Sequence, residues 1–271
     1  MEFANKVAVI TGGASGIGRA VAAAMARRDV AAVAIVDMSE AVENVAEKLN
    51  AEAGRAFAIP FQGDTTDETF RASVFDAMSR RFGLVSLCVP AAGVTRDDLA
   101  VRIDKITGKA RIYPLQQFKF VVDVNLIAPI YWSLEMIGRI AEDRAARGLK
   151  RWVPEEGMQG SVVFIGSISS QGNRGQVSYA STKAGLEGAA ATIMKEAMFH
   201  GVRCGVIHPG FTDTPMVRAM GVDYVAKNIL PYTQLGRLIA PEEIADAICF
   251  MLTNSAVSGE LWVDAGYHAP A

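Results

Sequence analysis

Short runs of β-branched and apolar residues alternate with amphipathic stretches from one end of the chain to the other, a rhythm that leaves few folds open. The run VAVIT at 7–11 is apolar at every interior position, as a strand covered on both faces must be. Residues 17–28 follow, with Ile17, Val21, Ala24, Met25 and Arg28 at helical spacing. AAVAIVD at 31–37 repeats the buried-strand pattern, and 39–53 reads as an exposed helix rich in Glu, Lys and Ala. A third strand spans 56–64, where Pro60 marks a strand end or a sheet edge. Residues 67–83 predict a helix with Phe70, Val74, Ala77 and Met78 inward, stopped by Gly83.

The same alternation continues with strands at 84–89, 161–167, 202–208 and 260–264. Between them lie helices at 115–145, 177–200 and 241–253. Repeated β-α-β units of this kind imply an α/β chain with a doubly wound parallel sheet and helices on both faces. No Pro-, Gly- or Ser-rich linker and no internal repeat divides the 271 residues, so a single domain is expected. Two irregular insertions break the rhythm, at 94–114 and 141–160. Both read as solvated surface, with a binding loop or lid as the alternative.

Composition excludes several classes. Lys plus Arg is 27 against 29 for Asp plus Glu, a net charge of −2, which offers no general attraction to nucleic acid or to an anionic membrane. No apolar run reads as long enough to span a bilayer, and the first strand follows the N-terminus directly, so a cytoplasmic chain is expected. Cys88, Cys204 and Cys249 are scattered among apolar residues and read as reduced core thiols. His200, His208 and His268 are equally scattered, and no Cys/His cluster has zinc-like spacing. No metal site is expected.

The segment TGGASGIG at 11–18 joins the first strand to the first helix. Glycines there permit a tight turn and let a phosphate approach backbone N–H groups at the positive end of a helix. The spacing, Gly12-xxx-Gly16-x-Gly18, differs from the common G-x-G-x-x-G fingerprint. Asp37 closes the second strand about twenty residues further on, where a carboxylate accepts hydrogen bonds from a ribose 2′-hydroxyl and repels a 2′-phosphate. Ala14, Ser15 and Met38 supply no compensating cation, which favours NAD over NADP. The competing reading is that Asp37 only caps the next helix.

YASTK at 179–183 puts Tyr179 and Lys183 four residues apart, on one face of a helix. A free phenol, with a pKa of about 10, is a poor base near neutrality. A neighbouring ammonium and an oxidised nicotinamide would favour the phenolate. Ser167 ends the preceding strand, at the edge where open parallel sheets bind ligands.

Together with Asn125 in VVDVNL and the segment PGFTDT at 209–214, this ordered set resembles the short-chain dehydrogenase/reductase family over nearly the whole chain. The resemblance implies a Rossmann fold and hydride transfer between NAD and a secondary alcohol or ketone. It casts Tyr179 as general acid/base, and Lys183 as the residue that lowers the tyrosine pKa and holds the nicotinamide ribose. Ser167 would polarise the substrate oxygen, and Asn125 would hold a water of the proton relay. The cofactor would lie against Gly12, Ser15, Gly16, Ile17 and Gly18, against Ala91, Ala92 and Gly93, and against Pro209, Gly210 and Thr212. Thr214 would bind its carboxamide, and Asp64 would stand beside the adenine. Ser169 is a rival to Ser167.

The sequence also departs from the family pattern: Pro90-Ala91-Ala92-Gly93 stands where the family has Asn-Asn-Ala-Gly, so support for the central sheet must come from other groups. The stretch 215–235 reads either as an apolar lid or as packing for a helix and an oligomer contact. As a lid it would favour a hydrophobic, aromatic, alicyclic, steroid or 3-hydroxyacyl substrate. A homo-oligomer, dimer or tetramer, is implied through the helices at 115–145 and 177–200. Two other functions fit the same motifs, an NADPH-linked 3-oxoacyl reductase and a non-catalytic nucleotide sensor.

Overall fold

The structure, a computed structural model, describes residues 2–267; His268 lies outside the described residues. In chain order the elements begin β1 (Val7–Thr11), α1 (Gly16–Ala26), β2 (Ala32–Asp37), α2 (Ala41–Ala53), β3 (Ala58–Gln62), α3 (Glu68–Phe82) and β4 (Val85–Pro90). A small hairpin follows, β5 (Val101–Ile103) and β6 (Ala110–Ile112), and then α4 (Leu115–Val122) and α5 (Ala128–Ala146). The last part comprises β7 (Gly160–Ile165), α6 (Val177–Ala197), β8 (Val202–Pro209), α7 (Pro215–Arg218), α8 (Val222–Asn228), α9 (Pro241–Thr253) and β9 (Gly259–Val263).

Seven strands form one sheet in the order β3-β2-β1-β4-β7-β8-β9, and every neighbouring pair is parallel. The continuous apolar runs have a direct cause. In β1, Ala8 and Ile10 point into one core with Val21 and Met25 of α1 and Ile244 and Ile248 of α9. Val7 and Val9 point into the opposite core with Phe75 of α3, Trp132 of α5 and Leu186 of α6. A strand covered on both faces has no polar side, so alternation disappears from its sequence. Pro60 sits in β3, an edge strand where a missing N–H costs little.

The chain winds outward from β1 to β3, then returns to β4 and winds the other way. The crevice where direction reverses lies beyond the carboxyl ends of β1 and β4, the place where open α/β sheets take ligands. β4 and β7 pair only through Leu87 with Ser161 and Cys88 with Val162, which leaves their last residues apart and opens the sheet on that side.

Three expectations need correction. The long helix expected at 115–145 is interrupted by a π-helical turn at Asp123–Ile127. Pro129 explains it: proline has no N–H, and its ring crowds the carbonyl four residues back, which belongs to Asn125. The stretch Leu115–Ala146 is also long and apolar enough to cross a membrane by length and composition, its most apolar 18-residue window having a mean hydropathy of 1.4, contrary to the reading that no segment is. Its apolar face, including Trp132, Met136 and Ile140, is buried against the sheet. Finally, β7 ends at Ile165, so Ser167 lies two residues past the strand and begins a 3-10 turn.

The insertions are more ordered than solvated loops. Residues 101–112 form the β5–β6 hairpin, and at 141–160 the buried Arg144 pairs with Glu156 and donates to the Lys150 carbonyl. Cys88, Cys204 and Cys249 are buried and unpaired.

Candidate active site

The glycine segment turns tightly between β1 and α1. Gly12 has φ +67°, and a Cβ there would lie 2.7 Å from the Ala92 backbone nitrogen. A Cβ at Gly18 would lie 2.3 Å from the Gly12 carbonyl oxygen. The turn and the first turn of α1 therefore nest against each other as only glycines can. No acidic residue stands in the first turn of α1, and the Ser15 side chain makes no cap hydrogen bond, so the positive end of this helix is free to face an anion.

Asp37 supports this loop directly. The Ala14 N–H donates to Asp37 Oδ2 (3.0 Å) and the Ser39 N–H to Oδ1 (3.0 Å). The N-cap of α2 is Glu40, so the reading of Asp37 as a helix cap does not hold. The departure at Pro90-Ala91-Ala92-Gly93 is also accounted for. The Ala91 N–H donates to the Thr11 carbonyl (3.1 Å), and the Ala92 N–H to Thr11 Oγ1 (3.1 Å). Asn125, fully buried in the π turn, accepts from the Val94 N–H through Oδ1 (2.9 Å) and donates through Nδ2 to the Val94 carbonyl (2.8 Å). These bonds tie the segment after β4 to β1 and to the π turn.

A cavity of about 540 Å³ runs along the crevice. Its walls include Gly12, Ser15, Gly16, Ile17 and Gly18, the two carboxylates Asp37 and Asp64, and Ala91, Ala92 and Gly93. Tyr179, Lys183 and Thr214 close its far end. This size suits a cofactor, and the glycine nest, the free helix end and the acid at the second strand fit a dinucleotide. A second cavity of about 150 Å³ adjoins it, sharing Ile17, Tyr179 and Thr214 and adding Ser167, Ser169, Pro209, Gly210 and Thr212. Asn125 stands behind the larger cavity, where it holds Val94 in its wall.

Tyr179 and Lys183 project from α6 as their spacing predicts, with Lys183 Nζ 5.4 Å from the centre of the phenol ring. Lys183 is buried and donates to the Ile165 carbonyl (2.7 Å), while Ser167 Oγ accepts from the Ser169 N–H (3.0 Å). Burial pushes the Tyr179 pKa up to about 12; the Ser167 hydroxyl pulls it down and the Asp97 carboxylate raises it further. Desolvation brings Lys183 itself down to about 8, so its amine still carries charge at neutral pH.

That depression carries a stability cost with a definite sign. A lysine whose folded pKa lies below its ordinary 10.5 destabilises the fold increasingly as pH falls from about 10.5 to about 8, where the unfolded amine charges and the buried one does not, and the full cost persists below that. The shift corresponds to about 3 kcal/mol at neutral pH. Lys183→Met is expected to raise the melting temperature at pH 7 relative to wild type, with the gain shrinking toward pH 10. An equal or negative change at both pH values would contradict this burial cost.

Several walls of the smaller cavity were missed in the sequence: Thr95, Asp97, Asn173, Gln176, Ile168 and Phe211. The insertion at 94–114 supplies two of them. Arg102 and Arg111 on the hairpin pair with Asp98 (2.9 and 2.6 Å), whose N–H donates to the Gly175 carbonyl (2.9 Å). Gln176 Nε2 donates to Asp97 Oδ2 (2.8 Å). The hairpin thus ties one wall of the cavity to the start of α6. Of the stretch 215–235, only Met216, Val217 and Met220, with Pro215, reach the cavities. Val225 and Ile229 are buried beneath it, and Val222 and Tyr224 are exposed.

A doubly wound parallel sheet with a glycine nest at its switch point, an acid closing the second strand and a Tyr–Lys pair facing the crevice defines a dinucleotide-dependent α/β enzyme. Comparison with known proteins narrows this class. The family model described as short chain dehydrogenase matches residues 6–224. The chain belongs to the short-chain dehydrogenase family of oxidoreductases, which use a nicotinamide cofactor on small molecules. It is 29% identical to the 3-oxoacyl-(acyl-carrier-protein) reductase FabG of Salmonella typhimurium, over 99% of both chains. It is 31% identical to the cis-4-hydroxycyclohexanecarboxylate dehydrogenase of Sinomonas cyclohexanicum, over 98% of both. Among solved structures, one titled ribose-5-phosphate isomerase from Brucella melitensis 16M matches with a TM-score of 0.79 and 25% identity. That match covers 98% of this chain and 93% of the other.

Proposed function

We propose that this chain interconverts a secondary alcohol and its ketone with NAD as cofactor, on a compact, uncharged ring substrate. The observation that carries this reading is the position of Tyr179, which forms part of the wall of both the larger cavity at the glycine turn and the smaller one beside it. The dinucleotide, when bound, accepts or donates the hydride. Tyr179 takes the hydroxyl proton in oxidation and returns it in reduction. Ser167 holds the substrate oxygen by a hydrogen bond. Lys183, behind the phenol, holds positive charge close to the forming phenolate. Asn125 acts as a positioning residue through Val94, and any water it holds uses the hydrogen-bonding capacity that those two bonds leave.

The smaller cavity supports the substrate class. At about 150 Å³ it matches a cavity that accommodates benzene, at about 150 Å³. Ile168, Phe211, Met216 and Met220 give it apolar walls, and no Lys, Arg or His lines it among the described residues. Asp97 adds a negative charge there. A substrate carrying a carboxylate, as in the name of the Sinomonas relative, would meet repulsion without a counter-ion. The FabG relatives favour a second reading, a 3-oxoacyl thioester reductase.

The test is a panel measured by nicotinamide absorbance, comparing cyclohexanol, cis-4-hydroxycyclohexanecarboxylate and a 3-hydroxybutyryl thioester. The neutral ring is expected to give the highest kcat/KM, at least about tenfold above the carboxylate if the missing counter-ion is worth about 1.4 kcal/mol. Preference for the thioester would establish the second reading instead.

A further inference from the structure

The fold brings together three side chains that lie far apart in the sequence. Glu187 is on α6, one turn beyond Lys183; His208 is near the end of β8; Glu260 is in β9. One ligand atom from each lies within 4.8 Å of the others. We propose that these residues bind a divalent transition-metal ion of the zinc type, which fixes the backbone of Ser167. The scattered histidines gave no sign of this in the sequence, because the ligands come from three different elements.

The argument starts from the imidazole. His208 is completely buried, stacked on Trp262 at 4.1 Å between ring centres with 13° between planes. Its Nδ1 lies 3.2 Å from the Ser167 carbonyl oxygen. A carbonyl only accepts, so Nδ1 carries the proton and a neutral ring presents a lone pair at Nε2. Two carboxylates flank that nitrogen: Glu260 Oε2 is 3.2 Å away and Glu187 Oε1 is 3.8 Å away. Nε2 nevertheless makes no hydrogen bond. An acceptor facing two acceptors is repulsive unless positive charge stands among them. No arginine or lysine pairs with either carboxylate among the described residues.

A second proton on the ring would need an oxygen along the N–H direction, and neither carboxylate oxygen accepts there. A metal ion needs something else: three donors arranged around a common point. Bonds of about 2.0–2.2 Å place neighbouring ligands of a tetrahedral ion about 3.4 Å apart, close to the 3.2 and 3.8 Å that separate His208 Nε2 from the two carboxylates. One imidazole and two carboxylates suit zinc or manganese better than magnesium. The two glutamates are 30% and 42% exposed, so an ion can enter and complete its shell with water while the histidine stays dry. Nδ1 hydrogen-bonded to a backbone carbonyl is the usual outer support of a metal-bound histidine. Here that carbonyl belongs to Ser167. Gly166 makes the arrangement possible, because a Cβ there would lie 2.6 Å from Nδ1.

The experiment uses the full chain, stripped with EDTA, dialysed, and titrated with ZnCl2 or MnCl2. Metal content after gel filtration and the melting temperature at each concentration are the readouts, and cobalt(II) absorption reports an imidazole–carboxylate shell. About one ion per chain is expected, with a melting temperature that rises with metal concentration. Glu260→Gln and Glu187→Gln keep the side-chain shape and are each expected to weaken binding at least tenfold. His200→Asn, which alters a histidine outside the cluster, should bind as wild type does. Wild type that retains no metal and shows no thermal shift would overturn the proposal. So would Glu260→Gln and Glu187→Gln proteins that bind as tightly as wild type. Neither result bears on the alcohol–ketone reading, because no step of that reaction passes through the ion.

Discussion

Tyr179→Phe is expected to lower kcat by about 10²–10⁴-fold, the range that a positioned general acid/base contributes, and to leave the affinity for NAD within about twofold of wild type. The reason is geometric. The phenol ring forms cavity wall and stays in the variant; only the hydroxyl that moves a proton is lost. The pH dependence of wild type follows from the same residue. Burial pushes the Tyr179 pKa up, so at neutral pH the phenolate is a minor form, and its fraction grows about tenfold per pH unit below the pKa. Alcohol oxidation, which needs the phenolate, should therefore rise with pH. Ketone reduction, which needs the phenol, should be flat or fall. Initial rates in both directions across neutral to alkaline pH, together with NAD titration by fluorescence, check these outcomes. A Tyr179→Phe protein with wild-type turnover would remove the assignment. One that has also lost NAD binding would show that the hydroxyl serves the fold or the cofactor rather than the proton.

The strands were legible in the sequence for a physical reason: burial on both faces leaves only apolar residues before the last position of β1 and β2, and such runs have few competing explanations. The glycine nest and the Tyr–Lys pair were legible because their chemistry depends on local spacing. What escaped depends on contacts across the chain. The π turn had a signal in Pro129, but that proline also suits an ordinary helix start, and the buried Asn125 amide holding Val94 has no sequence signature. Asp97 and Gln176 became cavity walls only because the β5–β6 hairpin folds back onto the start of α6. The desolvation of Tyr179 and Lys183 was hidden for a related reason. Spacing places an ammonium one turn away, but it cannot report how much water both groups lose.

The double change Asp37→Ser and Met38→Arg is expected to invert the cofactor preference. Asp37 closes β2 at the wall of the larger cavity, and each of its oxygens accepts one backbone N–H, leaving further acceptor capacity for a ribose diol. A hydrogen bond to a charged group contributes about 1.5–3 kcal/mol, so removing the carboxylate should lower kcat/KM with NAD by about 10–150-fold. An arginine at 38, whose present side chain is exposed beside the same cavity, would supply the cation a 2′-phosphate needs. Because Asp37 also holds the glycine loop through Ala14, loss of NAD activity alone would not separate charge from loop support. Asp37→Asn makes that separation: its amide oxygen can still accept from Ala14 while the negative charge is gone. If charge sets the preference, this variant loses discrimination against NADP and keeps its melting temperature. If loop support is the main role, it behaves as wild type with both cofactors. Wild type that already prefers NADP in initial-rate comparison would reject the NAD assignment outright, and with it the role given to the carboxylate.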